Sequence, residues 1–262
     1  MSDEELFLTA ILDCKRVDLY TQRPKLTADQ QRLLESMLNR RAAGEPVQYI
    51  TGFTEFLGRR IQCGPGVLIP RPETEVLADS VIQELKTDDR HEHFILDIGT
   101  GSACLTIALI KELPNCRAVA IDVSDKALTF ARKNAELNGV ADRVSFIKRD
   151  VFWFLGETAD RFDAVIANPP YVPTFMLEKL PADVKKEPAV ALDGGPDGLH
   201  FYRYIIPTSL NVLKTDGLLA MEFGDGQRTE LQKLFAVREH WDKIRFINDL
   251  AGKPRVALAR KR

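Results

Sequence analysis

The 262-residue sequence offers neither a metal cage nor a disulfide framework. Its four cysteines, Cys14, Cys63, Cys104 and Cys116, are widely spaced and form no Cys-x-x-Cys pair. That excludes zinc ribbons and dithiol redox motifs and leaves reduced thiols as the expectation. The four histidines, His91, His93, His200 and His240, lack the spacing that sets two ligands on one helix face. His91 and His93 fall in a polar linker and are expected in solvent. No run approaches the ~20 apolar residues of a membrane-spanning helix. The start, Ser2-Asp3-Glu4-Glu5, is acidic where a secretory signal or transit peptide would be basic, so the expected setting is cytoplasmic, without membrane contact. An excess charge is missing too: 36 Lys and Arg against 38 Asp and Glu leave a net charge of −2. The chain therefore has no global electrostatic grip on nucleic acid. Internal repeats and low-complexity tracts are absent as well.

What remains is an ordinary globular composition, 45% hydrophobic and 28% charged, long enough for a substantial core and one or two domains. From the start to about residue 45 the pattern is helical, with Leu6, Leu8, Ile11 and Leu12 early and Leu33, Leu34, Met37 and Leu38 later. Thr27 and Gln30 form a capping-box signature for the later helix. These stripes are expected to build a small helical core of their own. Between Ile50 and Ile69 aromatic and β-branched residues are punctuated by Gly52, Gly58, Gly64 and Gly66, which predicts a hairpin-like connector. Pro70-Arg71-Pro72 blocks regular structure, and a helix is expected over Glu73 to Leu85.

After His93, short apolar strands alternate with helical segments. The expected strands are Phe94–Asp97, Ala118–Ile121, Val144–Ile147, Ala164–Ala167, Leu218–Glu222, Ile244–Ile247 and Val256–Ala259, with helices over Leu105–Leu113 and Asp125–Asn138. Such alternation predicts an α/β fold, a seven-stranded mostly parallel sheet covered on both faces, with the last two strands as an antiparallel edge hairpin.

Asp97-Ile98-Gly99-Thr100-Gly101-Ser102-Ala103 follows the first of these strands and opens a helix, the place where α/β sheets bind nucleotides. The spacing lacks the third glycine of a dinucleotide fingerprint. An opening acid with Thr and Ser between small residues suits a ligand with a charged amino-acid end and no phosphates, and S-adenosylmethionine is such a ligand. Asp122 ends the second strand, placed for ribose hydroxyls; Asp150 follows the third, placed for an adenine amino group with Val151 near the ring. The plainer alternative makes Asp97 a loop cap, Asp122 a helix cap with Ser124 and Asp125, and Asp150 a solvated turn.

The fourth strand runs into Asn168-Pro169-Pro170-Tyr171. Each proline lacks an N–H and fixes φ, so the chain leaves the sheet stiffly and leaves the Asn168 oxygen and Pro169 carbonyl unused by a ladder, with the Tyr171 ring alongside. Two acceptors and a flat wall beside a methyl donor describe methyl transfer to a planar nitrogen. Such a lone pair is delocalised, so positioning carries much of the rate enhancement, and no strong general base is expected. The motif also suits an exocyclic amine on a flipped base. Against that, Lys15, Arg16, Arg23 and Arg32 are interleaved with Asp13, Asp18, Asp29 and Glu35, a mixed solvated surface; the tail Arg260-Lys261-Arg262 is expected only to solvate.

The sequence resembles the HemK/PrmC family of protein-(glutamine-N(5)) methyltransferases nearly end to end. The resemblance runs through Gly44 to Ile50, Gly52 with Glu55 to Gly58, Ile69 to Glu75, the loop Gly99 to Ala103, Asp122 with Ser124, Ala127, Leu128 and Asn134, and Asn168 to Tyr171. It continues in Glu187-Pro188, Ala191-Leu192, Gly194-Gly195, Asp197 to Leu199, Tyr202, Tyr204 to Ile206, Glu222 with Gly224 and Gln227, and Asp249 with Gly252 and Arg255-Val256.

That resemblance implies a Rossmann-like class I methyltransferase domain over 71–262, a helical substrate-recognition domain over 1–49 and a β-hairpin linker over 50–70. It implies S-adenosylmethionine contacts from Gly99, Thr100, Gly101, Ser102, Ala103, Asp122, Val123, Asp150, Val151 and Asn168. Asn168, Pro169 and Tyr171 would be catalytic, and Asn168 to Tyr171, Pro170 included, would cradle the substrate. The substrate would be the glutamine of the Gly-Gly-Gln motif in class 1 peptide chain release factors, docked by the N-terminal helices of a monomer, with no direct nucleic-acid binding required. A ribosomal-protein glutamine methyltransferase and a nucleic-acid adenine amino-methyltransferase stay open as alternatives. Alanine at 103 departs from the family glycine. As a bare pattern Arg71 to Glu75 is a helix start, and Asp193 to Gly198 a turn; the resemblance makes the first a lining of the cofactor pocket and the second a guide for the glutamine.

Overall fold

The computed structural model describes residues 2–22, 24–87, 92–237 and 240–262. Three helices open the chain, α1 (Asp3–Leu12), α2 (Arg16–Thr21) and α3 (Ala28–Ala42), followed by the short α4 (Val47–Thr51). The capping box at Thr27 is formed in both directions: Thr27 accepts from the Gln30 N–H and Gln30 accepts from the Thr27 N–H. Phe7, Leu34, Met37 and Ile50 make the small core of this region. The expected stripe is therefore only half right: Leu34 and Met37 point inward, while Leu33 and Leu38 face solvent. Two thin layers of helix can cover only one narrow strip, and the bulky Phe7 fills it.

The hairpin β1 (Phe53–Phe56) and β2 (Arg59–Gln62) pairs antiparallel from Phe53 with Gln62 to Phe56 with Arg59. Then come α5 (Pro72–Lys86), β3 (His93–Ile98), α6 (Cys104–Glu112), β4 (Cys116–Asp122), α7 (Asp125–Leu137), β5 (Val144–Lys148), α8 (Val151–Glu157) and β6 (Phe162–Ala167). The chain finishes with α9 (His200–Val212), β7 (Leu213–Glu222), α10 (Arg228–Ala236), β8 (Trp241–Asn248) and β9 (Pro254–Lys261). Among the described residues the large sheet has seven strands in the order β5-β4-β3-β6-β7-β9-β8. The first five are parallel, and β9 runs antiparallel to both neighbours, so the expected antiparallel hairpin is present with β8 at the edge.

Alternation along the strands divides the core. Ile95, Ala164, Ile166, Leu218 and Ala220 pack under α5 and α6, whereas Leu96, Val165, Leu219 and Met221 pack under α9 and α10. Each Ile, Leu, Val and Met among them contributes roughly 1.5–3 kcal/mol by leaving water. Because β3 has β4 on one side and β6 on the other, the connections diverge there and open a crevice at the carboxyl ends of the strands.

Several expectations need correction. His93 is not solvated: it is the first residue of β3, pairs with Cys116 and is 7% exposed. A central parallel strand is covered on both faces, so its end is buried even where its sequence is polar; His91 lies outside the described residues. Nor does the basic tail only solvate: Arg260 and Lys261 belong to β9, Arg260 pairs with Glu84, and Lys261 Nζ donates to the Leu210 and Leu213 carbonyls. The helices α8, α9 and α10 carried no readable signal, since α8 is short and aromatic and α9 holds Pro207 in its interior. No described helix is long and apolar enough to cross a membrane.

Candidate active site

The loop after β3 turns on three residues of positive φ, Gly99 (68°), Gly101 (56°) and Ala103 (64°). The last is a left-handed alanine at the N-cap of α6. Asp97 stands beneath this loop at 0% exposure. Its Oδ2 accepts from Thr100 Oγ1 at 2.7 Å and Thr106 Oγ1 at 2.6 Å, while its Oδ1 has no partner among the described residues. Burial, with a smaller contribution from the Asp122 charge, pushes the carboxyl up to about 6. A buried carboxylate oxygen without a donor is costly unless a bound group supplies one.

Asp122, at the end of β4, accepts from the Gly101 N–H through Oδ2 and from the Ser124 N–H through Oδ1, both at 2.9 Å. It thereby ties the loop after β3 to the strand beside it. Burial raises its carboxyl, and the backbone N–H groups oppose that rise. Asp150 is the N-cap of α8, its Oδ1 accepting from the Phe152 N–H at 2.9 Å. It is thus neither a free turn nor detached from the site.

One cleft of ≈ 210 Å³ gathers these groups. Its walls include Gly99 to Ser102, Asp122 with Val123, Asp150 with Val151, and Asn168 to Pro170. Arg71 and Thr74 also line it. Two of the expected site residues lie outside these walls. Ala103 is buried in the core, and the Tyr171 ring lies against Gly224, where an added Cβ would meet Tyr171 Cδ2 at 3.0 Å. The Tyr171 hydroxyl points to Glu222 Oε1 at 3.4 Å.

Asn168 follows β6 and donates its Nδ2 to Thr74 Oγ1 at 3.1 Å. That contact leaves Oδ1 facing outward, and among the described residues no donor reaches Asn168 Oδ1 or the Pro169 carbonyl. Behind the motif, the Val172 N–H donates to the Leu192 carbonyl at 2.9 Å and the Gly194 N–H to the Val172 carbonyl at 2.8 Å. Gln227 Nε2 bridges the Tyr171 and Gly198 carbonyls at 3.0 and 3.2 Å. The turn at Asp193 to Gly198 is therefore a brace for the segment carrying Asn168. Glu187 supports the opposite wall, accepting from the Ile69 N–H at 2.9 Å and pairing with Arg71.

Three further positions enter the sequence reading only through the resemblance, with no local signal of their own. Glu222 ends an apolar strand, where a buried acid could have been flagged, and its carboxylate accepts from Thr74 Oγ1 at 2.6 Å. Thr74 looks like any residue in the first turn of a helix. Asn134 is fully buried in α7 and reaches both the hairpin and the loop after β3.

The geometry agrees with what the chain is similar to. Residues 90–245 match a family model described as a methyltransferase domain, and residues 2–52 match one described as the PrmC N-terminal domain. A release factor glutamine methyltransferase of Moorella thermoacetica is 42% identical over 86% of this chain and 78% of its own length. One of Thermodesulfovibrio yellowstonii is 38% identical over 96% of this chain and 89% of its own. Among solved structures, an O-methyltransferase from Bacillus cereus in complex with SAH has a TM-score of 0.52 at 16% identity, covering 96% of this chain and 100% of that one. This last likeness concerns the fold alone.

Proposed function

The chain belongs to the release factor glutamine methyltransferase family, and from that premise we propose that it moves a methyl group from S-adenosylmethionine to the side-chain amide nitrogen of the Gly-Gly-Gln glutamine in class 1 peptide chain release factors. The observation that carries this reading is the pair of open acceptors, Asn168 Oδ1 and the Pro169 carbonyl, on the wall of a cleft whose floor is a glycine loop over a buried acid.

The residues suit the donor. The unpartnered Asp97 Oδ1 calls for a cationic or N–H group, the positive-φ loop brings backbone close to a ligand, and Asp122 and Asp150 keep lone pairs for hydroxyl and amino groups. S-adenosylmethionine would bring an electrophilic methyl carried on a sulfonium. The protein's part is orientation. With one N–H accepted by Asn168 Oδ1 and the other by the Pro169 carbonyl, a glutamine amide is held in one plane and its rotation is stopped. Positive charge growing on that nitrogen meets two fixed carbonyl dipoles. The prolines keep both acceptors in place because their φ cannot relax. Tyr171 supports this wall from behind, through its packing on Gly224 and its contact with Glu222.

The N-terminal helices are the docking element for the release factor in this reading, and the reaction is set in the cytoplasm. Incubating the protein with S-adenosylmethionine and a purified release factor, then reading the Gly-Gly-Gln peptide by mass spectrometry, tests the proposal. One added methyl on the glutamine is expected; methylation of DNA with an unmodified peptide would overturn it.

A further inference from the structure

An asparagine carboxamide can present either its oxygen or its NH2 to a neighbour, because the two ends have the same shape. Only the oxygen can accept from a substrate N–H. The rotation of Asn168 is therefore a functional variable, and the structure contains a device that sets it.

Asn168 Nδ2 donates to Thr74 Oγ1 at 3.1 Å, and Thr74 Oγ1 donates to Glu222 Oε2 at 2.6 Å. Thr74 is 3% exposed and Glu222 0%, so no bulk water competes for the bond between them, while the bond to Asn168 lies at the cleft wall. An ionised carboxylate can only accept. It takes the single proton of the Thr74 hydroxyl, and the Thr74 oxygen is left with lone pairs alone for Asn168. Asn168 must then turn its NH2 inward and its oxygen to the cleft.

We propose that Thr74 and Glu222 are positioning residues for methyl transfer, forming a two-bond relay that holds the Asn168 oxygen toward the substrate amide. This deepens the proposed function and rests on it. Neither residue touches the reacting atoms.

The relay has a defined polarity that protonation reverses. A protonated Glu222 donates to Thr74 Oγ1; the Thr74 proton is then free to reach Asn168 Oδ1, and the NH2 turns outward, where it opposes a substrate N–H. Burial pushes the Glu222 carboxyl up to about 7, with Glu73 adding to the rise and Arg255 opposing it. The groups facing Glu222 are Glu73 and Thr74 from α5, Cys104 from α6, Tyr171 after β6, Tyr202 from α9 and Arg255 from β9.

The test uses the full chain with Thr74→Ser, Thr74→Val and Glu222→Gln. Two readouts are taken: steady-state kinetics on a release-factor Gly-Gly-Gln substrate, and the side-chain amide signal of Asn168 in 15N-asparagine-labelled protein, assigned by its loss in Asn168→Ala. Thr74→Ser keeps the hydroxyl and is expected to stay near the parent kcat. Thr74→Val keeps the shape and is expected to lose roughly 100-fold in kcat, with KM for S-adenosylmethionine unchanged. The Asn168 signal is expected to titrate near pH 7 in the parent and not in Glu222→Gln. An Asn168 signal indifferent to both Thr74→Val and Glu222→Gln would overturn the relay even if the enzyme were active. An inactive parent whose Asn168 signal still titrates through Glu222 would support the relay and overturn the proposed substrate.

Discussion

Asn134 holds Gln62 by both ends of its carboxamide: its Oδ1 accepts from the Gln62 N–H at 2.7 Å and its Nδ2 donates to the Gln62 carbonyl at 2.9 Å. The carboxamide thus mimics one rung of a strand and fastens the β1–β2 hairpin to α7. The same Nδ2 also donates to the Ser102 carbonyl at 3.0 Å, so hairpin, helix and the loop after β3 meet at one buried atom.

Asn134→Asp is therefore expected to destabilise the protein by on the order of 2–4 kcal/mol, since it removes the donors to two carbonyls and buries a charge. Chemical denaturation gives the stability, and calorimetry is expected to show weakened S-adenosylmethionine binding. Unchanged values for both would mean that the hairpin and loop are held elsewhere.

Asn168→Ala should keep S-adenosylmethionine binding and lose methyl transfer. The side chain supplies one of the two acceptors, and losing one preorganised partner costs roughly 100-fold or more in rate. Undiminished turnover in this variant would remove Asn168 from the reaction.

Gly198 has no room for a methyl: an added Cβ would meet the Tyr171 carbonyl oxygen at 2.3 Å and Gln227 Nε2 at 2.6 Å, at φ +77°. Gly198→Ala is expected to cost at least about 2 kcal/mol from strain and overlap. Because the displaced atoms brace Asn168, kcat should fall further than the stability loss explains. A variant with parent-like melting temperature and kcat would show that this turn does not hold the motif.

Ala103→Gly weighs opposing effects at the left-handed N-cap of α6. Relief of an αL alanine gains about 1–2 kcal/mol. Against it stand a lost buried methyl of about 0.8 kcal/mol and a floppier unfolded chain of roughly 0.4–1 kcal/mol. These nearly cancel, so stability should change by less than about 1 kcal/mol, with S-adenosylmethionine binding retained. A melting shift well beyond that would show that the alanine is either badly strained or essential to packing.

Stability should fall as pH rises from 5 to 8. Glu222 is raised from an ordinary 4.5 to about 7, so the folded state holds a proton that the unfolded chain has already released. Its contribution is fully present below 4.5 and is lost as pH climbs through about 7. Asp97, raised from 3.8 to about 6, acts in the same direction. Urea denaturation at both pH values should show Glu222→Gln losing less stability than the parent, by on the order of 2–3 kcal/mol. Equal losses would mean that Glu222 is not the titrating group. The ionised form that the relay requires is thus the less stable one, a cost of function carried by the core.

Much of this protein is written locally. Strand and helix alternation, the glycine loop at Gly99 and the proline stop at Asn168 are readable because each depends on side chains within a few residues and on fixed backbone preferences. The sheet and the two halves of the cleft follow from them. Local signals failed at α8 and α9, where burial against the sheet overrides a weak helical pattern, and at His93 and Arg260, whose polar character hides their place inside strands. They also could not say which way the Asn168 oxygen points. That orientation depends on Thr74, 94 residues before it, and on Glu222, which lies 148 residues beyond Thr74. The sequence by itself determined that unused acceptors stand at the end of one strand, beside the glycine loop that follows another. Only the folded sheet, by bringing α5 and the end of β7 behind that site, decided how those acceptors are aimed, because a hydrogen bond between distant residues exists only once packing has brought them together.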